Sequence, residues 1–219
     1  MRIPLAKYGI REILLFGGLS LVGLGLSIWF ARGLIPLFVL ALGFVLCFFR
    51  DPSRRAPTTA GIILSPADGR VVEVAETVPP SRLLIEPSHK VAIFMSPLDV
   101  HVNRSPCRGR VEAIEHRPGR FYRADRPTAS TENESHAMAL ADVEGRPVRL
   151  LVRQVAGRLA RRIVCGVAEG DRLERGQRIG MIKFGSRAEV YVPVASGFEV
   201  LVSLGQRVRA GETVLGRFR

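Results

Sequence analysis

The chain has 219 residues and a formal net charge of +12 at pH 7, and this length allows one or two domains. So large a positive charge implies an anionic partner: nucleic acid, an anionic membrane surface or acidic substrates. Nucleic acid is disfavoured, because the sequence has no basic helix, zinc-ligand spacing or aromatic RNA-binding signature. The three cysteines and four histidines form no disulfide framework or metal-ligand cluster, which indicates a reducing compartment and argues against a metalloenzyme.

Two apolar runs lie near the N-terminus, at residues 13–30 and 34–49. Each is at the short end of the roughly 20 residues that a membrane-spanning helix needs. A basic start before an apolar core also fits a signal peptide, but the second run follows almost at once and no small-residue cleavage site separates the two. We therefore predict a two-helix membrane hairpin over residues 1–50, with a shallow re-entrant hairpin as the alternative.

The distribution of basic residues predicts the orientation of this hairpin. Lys and Arg flank both outer ends, and Arg32 alone lies between the runs. By the positive-inside rule, both ends then stay in the cytoplasm. The expected localisation is the cell (inner) membrane, with the rest of the chain on its cytoplasmic face, close to anionic headgroups.

A linker, residues 51–60, is rich in proline and charge, and a β-rich domain is expected over residues 61–219. Short apolar segments recur there between Gly and Pro residues, at intervals of about 8–12 residues. They predict a mainly β fold, an antiparallel barrel or sandwich. The strand candidates are residues 71–74, 91–95, 148–152, 189–192 and 198–202.

Internal repetition supports the β assignment. Residues 170–179 match residues 205–214, and the sequence SPADGRV at 65–71 matches SPCRGRV at 105–111. Glycine-bounded units of this kind are similar to the turns of lipoyl- and biotinyl-type domains. The fold is therefore expected to be related to the barrel-sandwich hybrid, although ordinary hairpin glycines would give the same pattern.

The dipeptide Gly185-Ser186 interrupts two apolar β-like runs, residues 178–182 and 189–192. A Gly-Ser pair is usually only a turn. However, glycine also leaves its carbonyl open to attack by the next serine hydroxyl. Such an attack gives an ester, and β-elimination from that ester cuts the chain. A pyruvoyl group, an electrophilic ketone, is then left at residue 186.

Two upstream residues would complete a Ser/His/Asp set with Ser186. His101 lies in the sequence PLDVHVN and alternates with Val100 and Val102, as in a strand with the histidine on one face. Asp68 lies in SPADG, where Asp-Gly is also ordinary turn chemistry. Each residue alone has a structural interpretation, as a satisfied core histidine and a turn aspartate.

Four motifs carry a family resemblance: SPADG (65–69), PLDVHVN (97–103), QVAG with ARRI (154–157 and 160–163), and FGS (184–186). They occur in the order found in phosphatidylserine decarboxylases, and the chain is most similar to the compact form with an N-terminal membrane hairpin. The resemblance runs from about Phe49 to the C-terminus. It implies decarboxylation of phosphatidylserine to phosphatidylethanolamine, a homodimer, and no metal.

The resemblance also implies roles for the site residues. Ser186 would be the nucleophile of self-cleavage and the source of the pyruvoyl cofactor, His101 its general base, and Asp68 the group that orients the imidazole. The products would be a large fragment, 1–185, and a small fragment, 186–219, held together by a shared sheet. The chain departs from some larger relatives at Leu98, where they have a second histidine, so the proton donor for decarboxylation is unassigned.

Four arginines are candidate ligands of the lipid phosphate, because a guanidinium is planar and always charged. Each could equally be a solvated surface charge. They are Arg120, Arg123, Arg161 and Arg162.

A non-enzymatic interpretation competes with the decarboxylase. A membrane-anchored barrel-sandwich adaptor would explain the apolar runs and the repeats. Such adaptors usually carry long coiled-coil insertions, which this sequence lacks.

Overall fold

Two apolar helices open the described chain, which comprises residues 5–158, 162–183 and 185–219 of a computed structural model. The first helical stretch, Lys7–Phe30, has 24 residues and is long and apolar enough to cross a membrane. The second, Arg32–Phe48, is apolar but shorter. Their segments are the 3₁₀ turn Lys7–Gly9, Ile10–Glu12, the π-helical Ile13–Gly17, Gly18–Phe30, the 3₁₀ turn Arg32–Leu34, and Ile35–Phe48.

The chain divides into two compact units, Met1–Ser53 and Arg54–Arg219. In the first unit the two helices pack closely at Gly23, where the ring of Phe38 occupies the space that a Cβ would need. Ser20 and Ser27 each donate a hydrogen bond to a carbonyl one helical turn earlier. Those bonds satisfy hydroxyl groups that would otherwise be costly in an apolar setting.

The described part of the second unit contains fourteen strands. In chain order they are β1 Ile62–Leu64, β2 Gly69–Thr77, β3 Ser88–Met95, β4 Val102–Arg104, β5 Gly109–Arg117, β6 Ser135–Ala141, β7 Leu150–Val155, β8 Ile163–Cys165, β9 Arg172–Leu173, β10 Arg178–Ile182, β11 Ser186–Pro193, β12 Phe198–Val200, β13 Arg207–Val208 and β14 Val214–Phe218. The short helical segments are Ala129–Glu132, Val143–Gly145 and Val194–Ser196.

The strands form one large sheet and two small ones. The large sheet has the order β13-β2-β3-β11-β7-β6-β5-β9, and the small sheets are β1-β14-β12 and β4-β10-β8. Neighbouring strands are antiparallel throughout. The predicted class, mainly β with antiparallel sheets after an N-terminal helical region, is confirmed.

The repeated sequences occupy equivalent places in the large sheet. Val71 of β2 exchanges two backbone hydrogen bonds with residues 205–206, and Val111 of β5 does the same with residues 170–171. The strand order is therefore symmetric about the β11–β7 pair. Each copy of the repeated motif consists of one half of the large sheet and one small sheet. Strands β4 to β10 form one copy, and along the chain this copy lies between β3 and β11 of the other. The chain passes between the copies twice, from β3 to β4 and from β10 to β11.

The main core lies between the inner face of the large sheet and the two small sheets. It contains Ile93 of β3, Val152 of β7 and Val190 of β11, together with Ile179 of β10 and Leu215 of β14. All eight residues of β11 are buried, so this central strand is covered on both faces. Its first residue is Ser186.

Candidate active site

Ser186 is completely buried at the start of β11. It pairs in the sheet with Met95, the last residue of β3. The Ser186 Oγ donates a hydrogen bond to the Met95 Sδ over 3.3 Å. Because sulfur is a weak acceptor, this contact holds the hydroxyl only loosely.

Gly185 lies in the short connection from β10 to β11, with φ +62°. This left-handed region is open to glycine at little cost. A Cβ at Gly185 would meet no atom within 4 Å. Glycine is therefore needed here for its backbone conformation and not for space. Phe184, the preceding residue of the FGS motif, lies outside the described residues.

His101 is completely buried and lies one residue before β4, not within a strand as the alternation predicted. Residues 96–99 form a turn in which the Asp99 N–H donates to the Ser96 carbonyl, and this turn shortens the strand. The Nδ1 of His101 is 2.9 Å from the Asp99 carbonyl oxygen. A carbonyl can only accept, so Nδ1 carries the proton.

The other ring nitrogen of His101 faces the Gly185-Ser186 segment. Its Nε2 accepts a hydrogen bond from the Gly185 N–H over 3.4 Å. With Nδ1 protonated, Nε2 keeps the basic lone pair. The residue predicted as a general base thus turns its acceptor toward the predicted cleavage site.

Asp68 makes different contacts from those predicted. Its Oδ1 accepts from the Ala210 N–H at 2.7 Å and its Oδ2 from the Arg54 guanidinium at 2.7 Å. His101 is not among the hydrogen-bond partners of Asp68 in the described chain. Burial raises the pKa of Asp68, although the Ala210 N–H and Arg54 oppose that shift.

A polar cluster that the sequence did not predict lies behind Ser186. The Asn103 amide donates to the Pro66 carbonyl and to the Met95 Sδ. Gln154 of β7 donates to the Asn103 Oδ1 over 2.8 Å. Both amides belong to motifs of the family resemblance, but only the fold brings Asn103 to the sulfur that receives the Ser186 hydroxyl, and Gln154 to Asn103.

A second unpredicted cluster is the buried ion network directly after Ser186. Arg187 pairs with Glu189 at 2.7 Å and with Glu73, and Arg153 pairs with Glu189 at 2.8 Å. Burial alone would raise the pKa of Glu189, but Arg153, Arg187 and Lys90 outweigh it and hold the pKa at about 2. The network fixes β11 to β2, β3 and β7.

The candidate phosphate ligands have mixed surroundings. The Arg120 Nη1 donates to the Tyr122 hydroxyl over 2.5 Å, and Arg123 forms an ion pair with Asp125 at 2.7 Å. Arg162 is exposed, while Arg161 lies outside the described residues. The loop of Arg120 and Arg123 lies near Gly185, because its Ala124 approaches Gly157, which in turn touches the Gly185 carbonyl.

No group of three or more His, Cys, Asp or Glu side chains is arranged to hold a metal among the described residues.

Comparison with known proteins gives the family. A family model for phosphatidylserine decarboxylase matches residues 41–216. The chain is 45% identical over 214 residues, 97% of its own length and 89% of the relative's, to the phosphatidylserine decarboxylase proenzyme of Cereibacter sphaeroides. It is 39% identical over 219 residues (99% and 89%) to that of Rhodopirellula baltica, and 49% over 195 residues (86% and 82%) to that of Salinibacter ruber.

These matches cover nearly the whole β-rich unit and identify the chain as a member of an enzyme family, not an adaptor module. The chain belongs to the phosphatidylserine decarboxylase family. The resemblance carried by the four motifs is confirmed.

Proposed function

We propose that this enzyme decarboxylates phosphatidylserine to phosphatidylethanolamine after cutting its own chain between Gly185 and Ser186. The observation that carries the proposal is the 3.4 Å contact between the His101 Nε2 and the Gly185 N–H. It places the Nε2 acceptor of His101 on the residue before a buried serine, at a left-handed glycine. The names of the relatives, all proenzymes, support a chain that must be processed.

Self-cleavage uses groups of the chain alone. Rotation of the Ser186 side chain away from the Met95 Sδ lets the His101 Nε2 take the hydroxyl proton. The Ser186 Oγ adds to the Gly185 carbonyl carbon, the C–N bond breaks, and His101 returns the proton to the freed nitrogen. Loss of the Ser186 α-proton then expels the Gly185 carboxylate from the ester. Water replaces the α-nitrogen, which leaves as ammonia, and a ketone remains.

The surroundings of Ser186 fit the pyruvoyl group that this sequence of steps would form. The residue is fully buried and lies at the start of a strand, so the new terminus would be held in place and shielded. When formed, the group supplies an electron sink for decarboxylation, as pyridoxal phosphate does elsewhere. His101 would reach this group through its contact with residue 185, and the Asn103 amide through the Met95 Sδ that both it and Ser186 contact.

The two fragments, 1–185 and 186–219, would remain associated without a covalent bond. The small fragment supplies β11 and β12 to β14. Strand β11 pairs with β3 and β7 of the large fragment, β13 with β2, and β14 with β1. The buried pairs of Arg187 and Glu189 add ionic contacts to the same interface.

The apolar helices would hold the enzyme at its lipid substrate. Their large side chains are mostly exposed, with Trp29 and Phe30 at 85% each, as expected for a lipid-facing surface. We place the catalytic unit on the cytoplasmic face of the cell (inner) membrane, with Arg120, Arg123, Arg161 and Arg162 as donors to the lipid phosphate. A homodimer is part of the same proposal.

The test is intact mass combined with a denaturing gel. The wild-type chain should lose its 24.1 kDa species and give two fragments, the smaller with a ketone in place of its N-terminal amine. Ser186→Ala should remain one chain and should release no CO₂ from vesicles of phosphatidylserine labelled at the serine carboxyl. Ser203→Ala, an exposed control, should behave as wild type. An active preparation made of one unbroken chain would refute the proposal.

A further inference from the structure

Gly157 lies against the carbonyl group that the proposed cleavage attacks. A Cβ at this position would overlap the Gly185 carbonyl oxygen and would lie 3.0 Å from its carbon. It would also lie 3.2 Å from the Cβ of Ala124. Gly157 is not among the residues with positive φ, so its backbone conformation is open to any residue. The requirement for glycine here is space beside the Gly185 carbonyl.

The backbone around Gly157 is held in place by Asn133. The Asn133 Nδ2 donates to the Ala156 carbonyl over 2.7 Å, and the Ala156 N–H donates to the Glu134 carbonyl over 2.9 Å. Asn133 also bonds the backbone of Tyr122 in both directions, at 2.9 Å each. With 1% of its surface exposed, Asn133 joins the arginine-containing loop to segment 156–157 as one hydrogen-bonded block.

Because this block is fixed, it limits where the Gly185 carbonyl can lie. The oxygen contacts the Gly157 Cα on one side, while the Gly185 N–H is bonded to the His101 Nε2 on the other. The peptide between residues 185 and 186 is therefore located from both ends. A methyl group at residue 157 would push the carbonyl away and turn the peptide plane.

We propose that Gly157, held by Asn133, is a positioning residue that presents the Gly185 carbonyl carbon to the Ser186 hydroxyl. This inference rests on the proposed self-cleavage and adds a requirement to it. A misplacement of about 1 Å can reduce a rate about 10²-fold, so Gly157→Ala should slow cleavage by about that factor. Residues of the arginine-containing loop would affect cleavage only through this hydrogen-bonded block.

The first measurement is the time course of cleavage after synthesis, read from intact mass. Wild type should be cut between residues 185 and 186, and Gly157→Ala should accumulate as the uncut chain. The matched control is Gly216→Ala in β14, whose Cβ would also overlap a backbone carbonyl oxygen, that of Glu199. It suffers a similar clash and should be cut at the wild-type rate.

A double variant separates the two contacts of residue 157. Ala124→Gly in the Gly157→Ala background removes the clash with Ala124 and keeps the one with Gly185. Cleavage should remain slow. If the double variant recovers the wild-type rate, packing against Ala124 caused the defect and the positioning role is refuted.

Hydroxylamine identifies the step that is blocked, because it cuts an ester that has already formed. Gly157→Ala treated with hydroxylamine should give no fragments, since the attack itself is prevented. Fragments under this treatment would mean that the ester forms normally, which contradicts the proposal. A cooperative thermal transition for Gly157→Ala, similar to that of Gly216→Ala, would show that the uncut chain is folded.

If Gly157→Ala does not fold, Asn133→Ala decides the question. It removes the hydrogen bond to Ala156 and should slow cleavage about 10-fold, in line with a smaller displacement. Thr131→Ala, in the short helical segment just before Asn133, is the control. Normal cleavage of Asn133→Ala would overturn the inference while leaving the proposed function intact, whereas an uncut wild-type chain would overturn the proposed function itself.

Discussion

The guanidinium of Arg54 holds the carboxylate of Asp68, with the Arg54 Nη2 at 2.7 Å from the Asp68 Oδ2. The same guanidinium reaches Glu212 at 2.9 Å, and both side chains of the Arg54–Asp68 pair are largely buried. The carboxyl group predicted to orient His101 is thus engaged by the first residue of the β-rich unit. The Asp99 carbonyl oxygen takes the place of that carboxylate on the His101 Nδ1.

Replacement of Arg54 by methionine should make Asp68 harder to ionise. Burial already raises the pKa of Asp68 and Arg54 opposes this shift, so in Arg54→Met the pKa rises further. A raised carboxyl pKa in the folded state means that stability is lost as pH increases through that value. The free energy of unfolding of the variant should therefore be about 2 kcal/mol below that of wild type at neutral pH. The difference should be smaller below the ordinary Asp pKa of 3.8.

The measurement is denaturant unfolding at several pH values, alongside the cleavage rate. If an ionised Asp68 assists cleavage, the pH profile of cleavage in Arg54→Met should move to higher pH. Arg55→Met, an exposed neighbour, is the control for linker changes. A loss of stability that does not vary with pH would show that Asp68 is not the group affected.

Gly185→Ala should show whether cleavage depends on the left-handed backbone at residue 185 and not on a general loss of stability. The added methyl group meets no neighbour, but a left-handed alanine costs about 1 kcal/mol. The peptide should leave this conformation, and cleavage should slow at least 10-fold. Gly197→Ala is the matched control, since Gly197 has φ +71° and equally open surroundings. It should lose similar stability by thermal unfolding and should still be cut normally.

Glu189→Gln should reveal the contribution of the buried ion network. The pKa of Glu189 is lowered from 4.5 to about 2, so its ionised form stabilises the fold above pH 4.5 and this stabilisation is lost as pH falls toward 2. In the variant, the network of Arg153, Arg187 and Lys90 keeps Glu73 but loses the charge of Glu189. We expect the free energy of unfolding to fall by about 3–5 kcal/mol at pH 7. The steep acid dependence of wild type should become shallower.

Unfolding free energy measured from pH 7 to pH 2 checks this expectation. Glu199→Gln, which breaks exposed pairs with Arg217 and Arg219, should change stability by less than about 1 kcal/mol. Equal effects of the two variants would contradict the assignment of Glu189 as the central buried anion.

A charge in either helix should weaken membrane attachment. Leu19 and Leu40 are 61% and 72% exposed near the middle of the two helices, and Asp at a helix centre costs about 2.5–3.5 kcal/mol in a bilayer. We expect Leu19→Asp and Leu40→Asp to increase the fraction extracted from membranes by alkaline carbonate. Ile85→Asp, 75% exposed in the β-rich unit, should leave extraction unchanged.

Local patterns were sufficient for the elements of this protein. The apolar runs predicted two helices, and alternation with regular Gly and Pro predicted short antiparallel strands, because both patterns reflect burial within a few neighbouring residues. The repeats indicated equivalent turns, which the large sheet contains. Four motifs in the expected order were enough to recognise the family, because all the residues of each motif lie within a short segment.

The sequence by itself therefore determined the fold class, the helical segment and the identity of the serine, histidine and aspartate candidates. Only the tertiary structure decided which groups touch: His101 reaches Gly185 across 84 positions, Asp68 meets Arg54, and Gly157 meets the Gly185 carbonyl. These contacts depend on how one copy of the motif is inserted into the other. A periodicity of two or of 3.6 residues shows which residues share one face of a strand or helix. It does not show which residues from distant parts of the chain come into contact.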